Sequence, residues 1–157
     1  MWAVGYTTFV SSASGKIEHW NGSAWKGTYT NVGAFGLSAV DMLSSNEGWA
    51  AGNNYISHYT NGNWVHEFNY YAILTSLEML STNDGWIVGG NLVAPSQYLG
   101  LILHWDGAAW TMVDNPSSNT LLSIDMISPY EGWAIGRDGI ILRYTNYEHV
   151  YLPLITR

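Results

Sequence analysis

One phrase is written three times in this chain. It reads LSAVDMLSSNEGWAAG ending at Gly52, LTSLEMLSTNDGWIVG ending at Gly89, and LLSIDMISPYEGWAIG ending at Gly136. Each copy spells an apolar strand, a polar turn and a second short strand that opens on Trp. A hairpin that recurs at intervals of this size is the mark of a repeat architecture, in which stacked copies bury what one copy cannot. The Trp that opens the second strand stands at Trp2, Trp49, Trp86 and Trp133, at intervals of 47, 37 and 47 residues. WAVG, WAAG, WIVG and WAIG follow from these four positions, so there are four units, the first cut short at its start.

Each unit continues with a strand that places an imidazole or guanidinium before an aromatic ring: IEHW to Trp20, ISHY to Tyr59, LILHW to Trp105 and IILRY to Tyr144. A turn follows, NGSA, TNGN, DGAA or TNYE; Asn-Gly and Asp-Gly suit tight hairpins because they take positive φ cheaply. The next strand opens on Trp25, Trp64 or Trp110, and in the last unit at His149-Val150. Inner strands are predicted over 37–43, 74–80 and 121–127. Their apolar residues fall on both sides of the pleat, as in VDML, which fits a sheet buried between two others. Aromatic residues are 15% of the chain and charged ones 11%, and Gly supplies 17 residues, a balance that favours short packed strands and almost no helix.

Four antiparallel strands in a repeat of about 40 to 45 residues describe a β-propeller blade. The expected fold is therefore all-β: a single β-propeller domain, or a fragment of one, with blade units 2–36, 37–73, 74–120 and 121–157 and the first unit lacking its inner strand. An incomplete arc exposes the apolar faces of its end blades, which predicts self-association as a homo-oligomer or a place in a longer propeller.

EGWAAG, DGWIVG, EGWAIG and HWDGAAW resemble the repeats of bacterial propellers of the photosystem II assembly-factor-like type, themselves similar to sialidase-type and kelch-like propellers. The resemblance covers nearly the whole chain. It implies a propeller fold and leaves function open among scaffolds, lectins and enzymes. The sialidase Asp-box, Ser-x-Asp-x-Gly-x-Thr-Trp, is only partly echoed by STNDGW and HWDGAAW.

The formal charge of −7, with only Lys16, Lys26, Arg137, Arg143 and Arg157 as cations, argues against nucleic acid as partner. No apolar run reaches the roughly 20 residues of a membrane-spanning helix, and the N-terminus lacks the pattern of a signal peptide. With no Cys there are neither disulfides nor thiolate metal sites, which fits a cytosolic and a bacterial secreted protein alike. The ending YLPLITR looks like that of some secreted bacterial proteins and points to an extracellular or cell-surface location.

Nine Trp residues invite a sugar-binding reading, but all occupy repeat positions. Trp2, Trp49, Trp86, Trp133, Trp25, Trp64 and Trp110 are accordingly taken as structural anchors. His19, His58 and His104 are equivalent positions in successive blades, which rotation about the axis turns apart, so they are not expected to share a metal. Asp41, Glu78 and Asp125 lie in inner strands; facing the channel they would hold Ca²⁺, and otherwise each accepts a backbone N–H from its own turn or the next blade. The same choice applies to Glu47, Asp84 and Glu131, and the backbone role is favoured for both sets, leaving no cofactor as the main expectation.

The span from the WxxG glycine to the imidazole or guanidinium position is 14, 6, 15 and 7 residues in turn, so units one and three carry insertions. Insertions in a repeat array collect on one face, often the binding face. Tyr6, Phe9, Gln97 and Tyr98, in YTTFVSSASGK and NLVAPSQYLG, are therefore the candidate contacts for a protein or glycan ligand. Nucleophile and zinc motifs are absent, and Arg137, Arg143 and Arg157 crowd into the last 21 residues where a sialidase needs three arginines around one carboxylate. The chain reads as a non-catalytic binding or scaffolding module, with a carbohydrate-binding lectin as alternative and a glycosidase-type enzyme as second alternative.

Overall fold

The computed structural model describes residues 1–9, 12–28, 36–68, 71–94, 97–145 and 152–153. They form four antiparallel sheets, each a meander whose strands pair in chain order. The first sheet holds β1 (Trp2–Phe9), β2 (Ser12–Trp20) and β3 (Trp25–Thr28). The second holds β4 (Leu37–Ser44), β5 (Glu47–Gly52), β6 (Tyr55–Thr60) and β7 (Asn63–Phe68). The third is built from β8 (Ala72–Ser81), β9 (Asp84–Ala94), β10 (Gln97–Trp105) and β11 (Trp110–Met112). The fourth has β12 (Leu121–Ser128), β13 (Glu131–Gly136), β14 (Ile141–Thr145) and β15 (Leu152–Pro153), with one 3₁₀ turn at Arg137–Gly139. This is a propeller-like arc of blades, the first of them without an inner strand among the described residues. The last-unit turn TNYE and the outer strand expected at His149-Val150 lie outside the described residues.

Short-range chemistry explains the hairpins. Between inner and second strands, the Ser44, Ser81 and Ser128 hydroxyls accept the backbone N–H of Asn46, Asn83 and Tyr130 at 3.1, 3.2 and 3.2 Å, the same side-chain turn in three blades. Between third and outer strands the turns differ. Asn61 and Gly62 both take positive φ, 51° and 79°, which matches the twist of a two-residue hairpin. At the other two turns only Gly22 and Gly107 do so, and the carboxamide of Asn21 and carboxylate of Asp106 each accept two backbone N–H groups instead.

The inner strand of the third blade starts at Ala72, two residues before the predicted span, because β9 runs past Gly89 and offers ladder partners to Ala72 and Ile73. Every inner strand also breaks register twice, at Leu37/Ala39 and Met42/Ser44 and at the equivalent places in the other blades. Such bulges bend a strand and raise its twist.

The core lies between blades. Trp49, Ala51 and Ile56 of blade two pack on Leu77, Met79, Leu101 and Leu103 of blade three, whose other face sends Trp86, Val88 and Ile102 onto Met126, Ala134 and Leu142 of blade four. Where second and inner strands touch, only Gly fits. A Cβ on Gly89 would lie 2.1 Å from the Ile73 carbonyl oxygen, and one on Gly52 2.2 Å from that of Gly36. Gly5 is the matching position in blade one, and there nothing lies within 4 Å. Gly89→Ala is therefore expected to cost about 1–3 kcal/mol or more, the scale of core overpacking. Gly5→Ala should stay within about 0.5 kcal/mol of the parent. Urea unfolding of the two variants checks the difference.

Candidate functional site

Cross-strand register builds one row of side chains in each blade. Asp41 lies opposite Trp49, which lies opposite His58; Glu78, Trp86 and His104 repeat the row, and Asp125, Trp133 and Arg143 repeat it again. Blade one has the partial row Trp2 and His19. Within a row the imidazole stacks on the indole of its own blade, with ring centroids 4.3, 4.1 and 4.3 Å apart for Trp2–His19, Trp49–His58 and Trp86–His104. Arg143 takes that place over Trp133 at 5.5 Å.

The other side of the Trp2, Trp49 and Trp86 indoles meets the next blade. Trp2 contacts Tyr59 at 4.8 Å and Trp64 at 5.6 Å, and Trp49 contacts Trp105 at 4.8 Å and Trp110 at 5.4 Å. Trp86 contacts Tyr144, also at 4.8 Å. Trp49 and Trp86 are buried, and the indole N–H groups of Trp49, Trp64, Trp86 and Trp110 have no hydrogen-bond partner among the described residues. Trp2, Trp49 and Trp86 thus lie between blades, with Trp64 and Trp110 receiving two of them, whereas Trp25 and Trp133 of the same repeat set meet no ring of another blade among the described residues.

Both sets of acids are in use as well. The Asp41 carboxylate accepts the Met79 backbone N–H at 2.8 Å, and Glu78 accepts that of Met126 at 2.7 Å, so each inner strand is clamped to the next. Glu47 and Asp84 do not bind backbone as expected. They hold His58 and His104, the latter pair at 2.9 Å, while Glu131 accepts from Arg143 at 2.6 Å. The reason is register: Glu47, Asp84 and Glu131 open the second strand beside the third, where an acceptor meets the imidazole or guanidinium row. Among the described residues no three of His, Asp and Glu gather as a metal site.

The two insertions are not loops. β1 and β2 pair from Trp2↔His19 out to Phe9↔Ser12, and β9 and β10 from Gly85↔Trp105 out to Ala94↔Gln97, so each forms a hairpin arm that prolongs its blade. Sequence reading missed this because Thr, Ser and Gly read as loop residues while here they satisfy a ladder. Tyr6 and Tyr98 stand on different arms and line different recesses. Tyr6 is 65% exposed. The side chains of Phe9 and Gln97 lie outside the described residues.

Tyr98 belongs to the larger recess, an open cleft of about 680 Å³. The third-blade arm forms one wall with Leu92 and Tyr98, the start of β8 forms the floor with Ile73 and Thr75, and the start of blade four forms the far wall with Asn119, Thr120, Leu122, Arg137 and Asp138. All these positions sit at the end of the blades where inner strands begin and second strands end. The far wall is braced: Asn119 Nδ2 donates to Asp138 Oδ2 at 2.8 Å, Arg137 N donates to Thr120 O at 3.0 Å, and Ser117 Oγ donates to Asn119 O at 2.6 Å. Asp138 adopts φ 57°, which turns the short connection so that Arg137 and Asp138 stand exposed at the cleft. Sequence reading passed over Arg137 and Asp138 because their connection is short; what marks them is RDG at the tip where other blades carry insertions or plain turns.

Neither a protein-family model nor a curated protein matches the chain. Solved structures do, and one of them is YCF48 bound to D1 peptide. The chain has the fold of a β-propeller arc. It superposes on YCF48 over 77% of its length with a TM-score of 0.60 and 18% sequence identity, and it spans 41% of that longer chain. At this identity the likeness bears on fold alone.

One carboxylate of the clamp has a measurable signature. Burial holds the Glu78 carboxyl above the ordinary glutamate range; the Met126 N–H pulls it back down, and the charges of Asp125 and Asp41 add to the rise. Its charged form is thus less favoured in the fold than in the unfolded chain. The contribution of Glu78 to stability is greatest in acid and shrinks as pH climbs through its raised pKa. Glu78→Gln, which keeps an acceptor for Met126 and removes the charge, is expected to gain stability over the parent at pH 7 and to lose that advantage in acid. Glu78→Ala, which removes the acceptor, should cost about 1 kcal/mol or more. Urea titrations of the three proteins at neutral and acid pH check both signs.

Proposed function

We propose that this chain is a non-catalytic binding and scaffolding module that holds a segment of another protein in the cleft between the third-blade arm and the Arg137 turn. The cleft carries the reading. Its volume of about 680 Å³ lies in the range of ligand sites, generally some 300–1,000 Å³. It is a trough between two projecting walls, a shape that suits an extended chain. Leu92, 49% exposed, and Tyr98 offer apolar contact on one side, and the exposed Arg137 and Asp138 with the half-buried Asn119 offer polar contact on the other. The fold shared with YCF48, whose structure holds a peptide, supports the same class of ligand.

The sugar-binding alternative has less support, since Trp2, Trp49 and Trp86 are packed between blades instead of being presented to solvent. Self-association through the open faces of the end blades belongs to the scaffolding role.

Selection of displayed random peptides against the whole chain, followed by titration of the enriched ones, tests the proposal. Tyr98→Ala combined with Arg137→Gln is expected to weaken the selected peptides by roughly tenfold or more, about 1.4 kcal/mol. Failure to enrich peptides, affinity indifferent to these changes, or a Tyr98-dependent response on a glycan array in place of peptide binding would contradict it.

A further inference from the structure

Building on the self-associating scaffold just proposed, we infer that a second copy of this chain seats its first blade on the open face of the fourth, head to tail, so that two copies close one ring. The inner seams define what each end lacks. In every inner seam the blade nearer the N-terminus supplies an indole, and the blade after it supplies the aromatic ring that receives it, one of a pair in the first two seams and Tyr144 in the third. Trp2 enters Tyr59 and Trp64, and Trp49 enters Trp105 and Trp110, at matching distances and with matching tilts of 58° and 54° to the first ring and 83° and 85° to the second.

Blade four carries an indole with no receiver. Trp133 makes no ring contact with another aromatic among the described residues, though Arg143 stacks behind it as His58 and His104 do behind Trp49 and Trp86. Blade one carries a receiver with no indole. Trp20 and Trp25 lie 5.7 Å apart, the separation of the filled pair Trp105 and Trp110, yet among the described residues they make no ring contact with another blade, and Trp25 is 44% exposed.

The flanking residues follow the same logic. Leu43 and Leu80 on inner strands pack into the next blade, whereas their counterpart Ile127 is 67% exposed. Ala51 and Val88 are fully buried against the next blade, whereas their counterpart Ile135 is 49% exposed. The face of blade one that points away from blade two has a shallow recess of about 130 Å³ bordered by Ala3, Gly5, Lys16 and Glu18. Asp125 and the ion pair Arg143–Glu131 border one side of the closing seam, and the ion pair Lys16–Glu18 borders the other.

The contact is heterologous, indole end to receiver end, and such contacts form a ring when their rotation closes. Two copies bring about eight blades, the upper end of the common range for propellers.

Light scattering coupled to gel filtration, over a dilution series of the whole chain, tests the inference. The parent is expected at twice the mass of one chain. Trp25→Asp in the receiver and Ile127→Asp on the indole face should each raise the dimer dissociation constant by roughly thirtyfold or more. An equimolar mixture of the two variants should recover dimer at concentrations where neither alone forms it, because one undamaged seam is then available. Circular dichroism and peptide titration confirm that the variants are folded. A dimer that tolerates Trp25→Asp, or a mixture that gains nothing over its components, would overturn the head-to-tail seam while leaving self-association in place. A parent that is monomeric throughout would overturn both, and the peptide selection would still judge the binding role separately.

Discussion

The arc depends on an indole held between two blades. Each of Trp2, Trp49 and Trp86 has an imidazole of its own blade on one side and an aromatic ring of the next blade on the other. Aromatic pairs of this kind contribute about 0.5–1.5 kcal/mol beyond the burial of their area. More important is what they specify. A sheet buried on both faces has no intrinsic reason to meet its neighbour at one angle, and an indole that fits a notch between two rings supplies it. In all three seams the nearest ring of the next blade lies 4.8 Å from the indole, tilted by 53° to 58°.

Around that indole the repeat places small devices that work only together. The acid across the ladder from it clamps the next inner strand, through Asp41 to Met79 and Glu78 to Met126. The acid that opens its own strand fixes the imidazole behind it, through Glu47 to His58 and Asp84 to His104. The Gly before it leaves room for a methionine sulfur, since a Cβ on Gly85 would lie 2.2 Å from that of Met79. The phrase D/E-M at the inner strand and E/D-G-W at the second is one packing unit written in two places. With packing settled by the repeat, sequence is free to vary where β9 and β10 run on and where the Arg137 turn stands, and that is where the cleft forms.

Architecture was largely legible because it is periodic. The all-β class and the four antiparallel sheets follow from the spacing of the repeated phrase. What was not legible depends on side chains meeting across blades. Glu47 and Glu131 look alike in sequence, but only the fold shows that one meets an imidazole and the other a guanidinium. The arm of blade three read as a loop because its polar residues hide a ladder whose partners lie on the same arm, and the cleft it walls joins residues as distant as Ile73 and Asp138. Inner-strand bulges, which recur at Met79/Ser81 and Met126/Ser128, leave no trace in an apolar run.

The central claim is that neighbouring blades are coupled through these rings, and a double-mutant cycle measures it most directly. Unfolding free energies of the parent, Trp49→Leu, Trp105→Leu and the double variant isolate the pairwise part of a contact seen at 4.8 Å. The account requires a favourable coupling of about 0.5–1.5 kcal/mol across the seam between blades two and three. Strictly additive losses would mean that the two indoles do not hold one blade against the other.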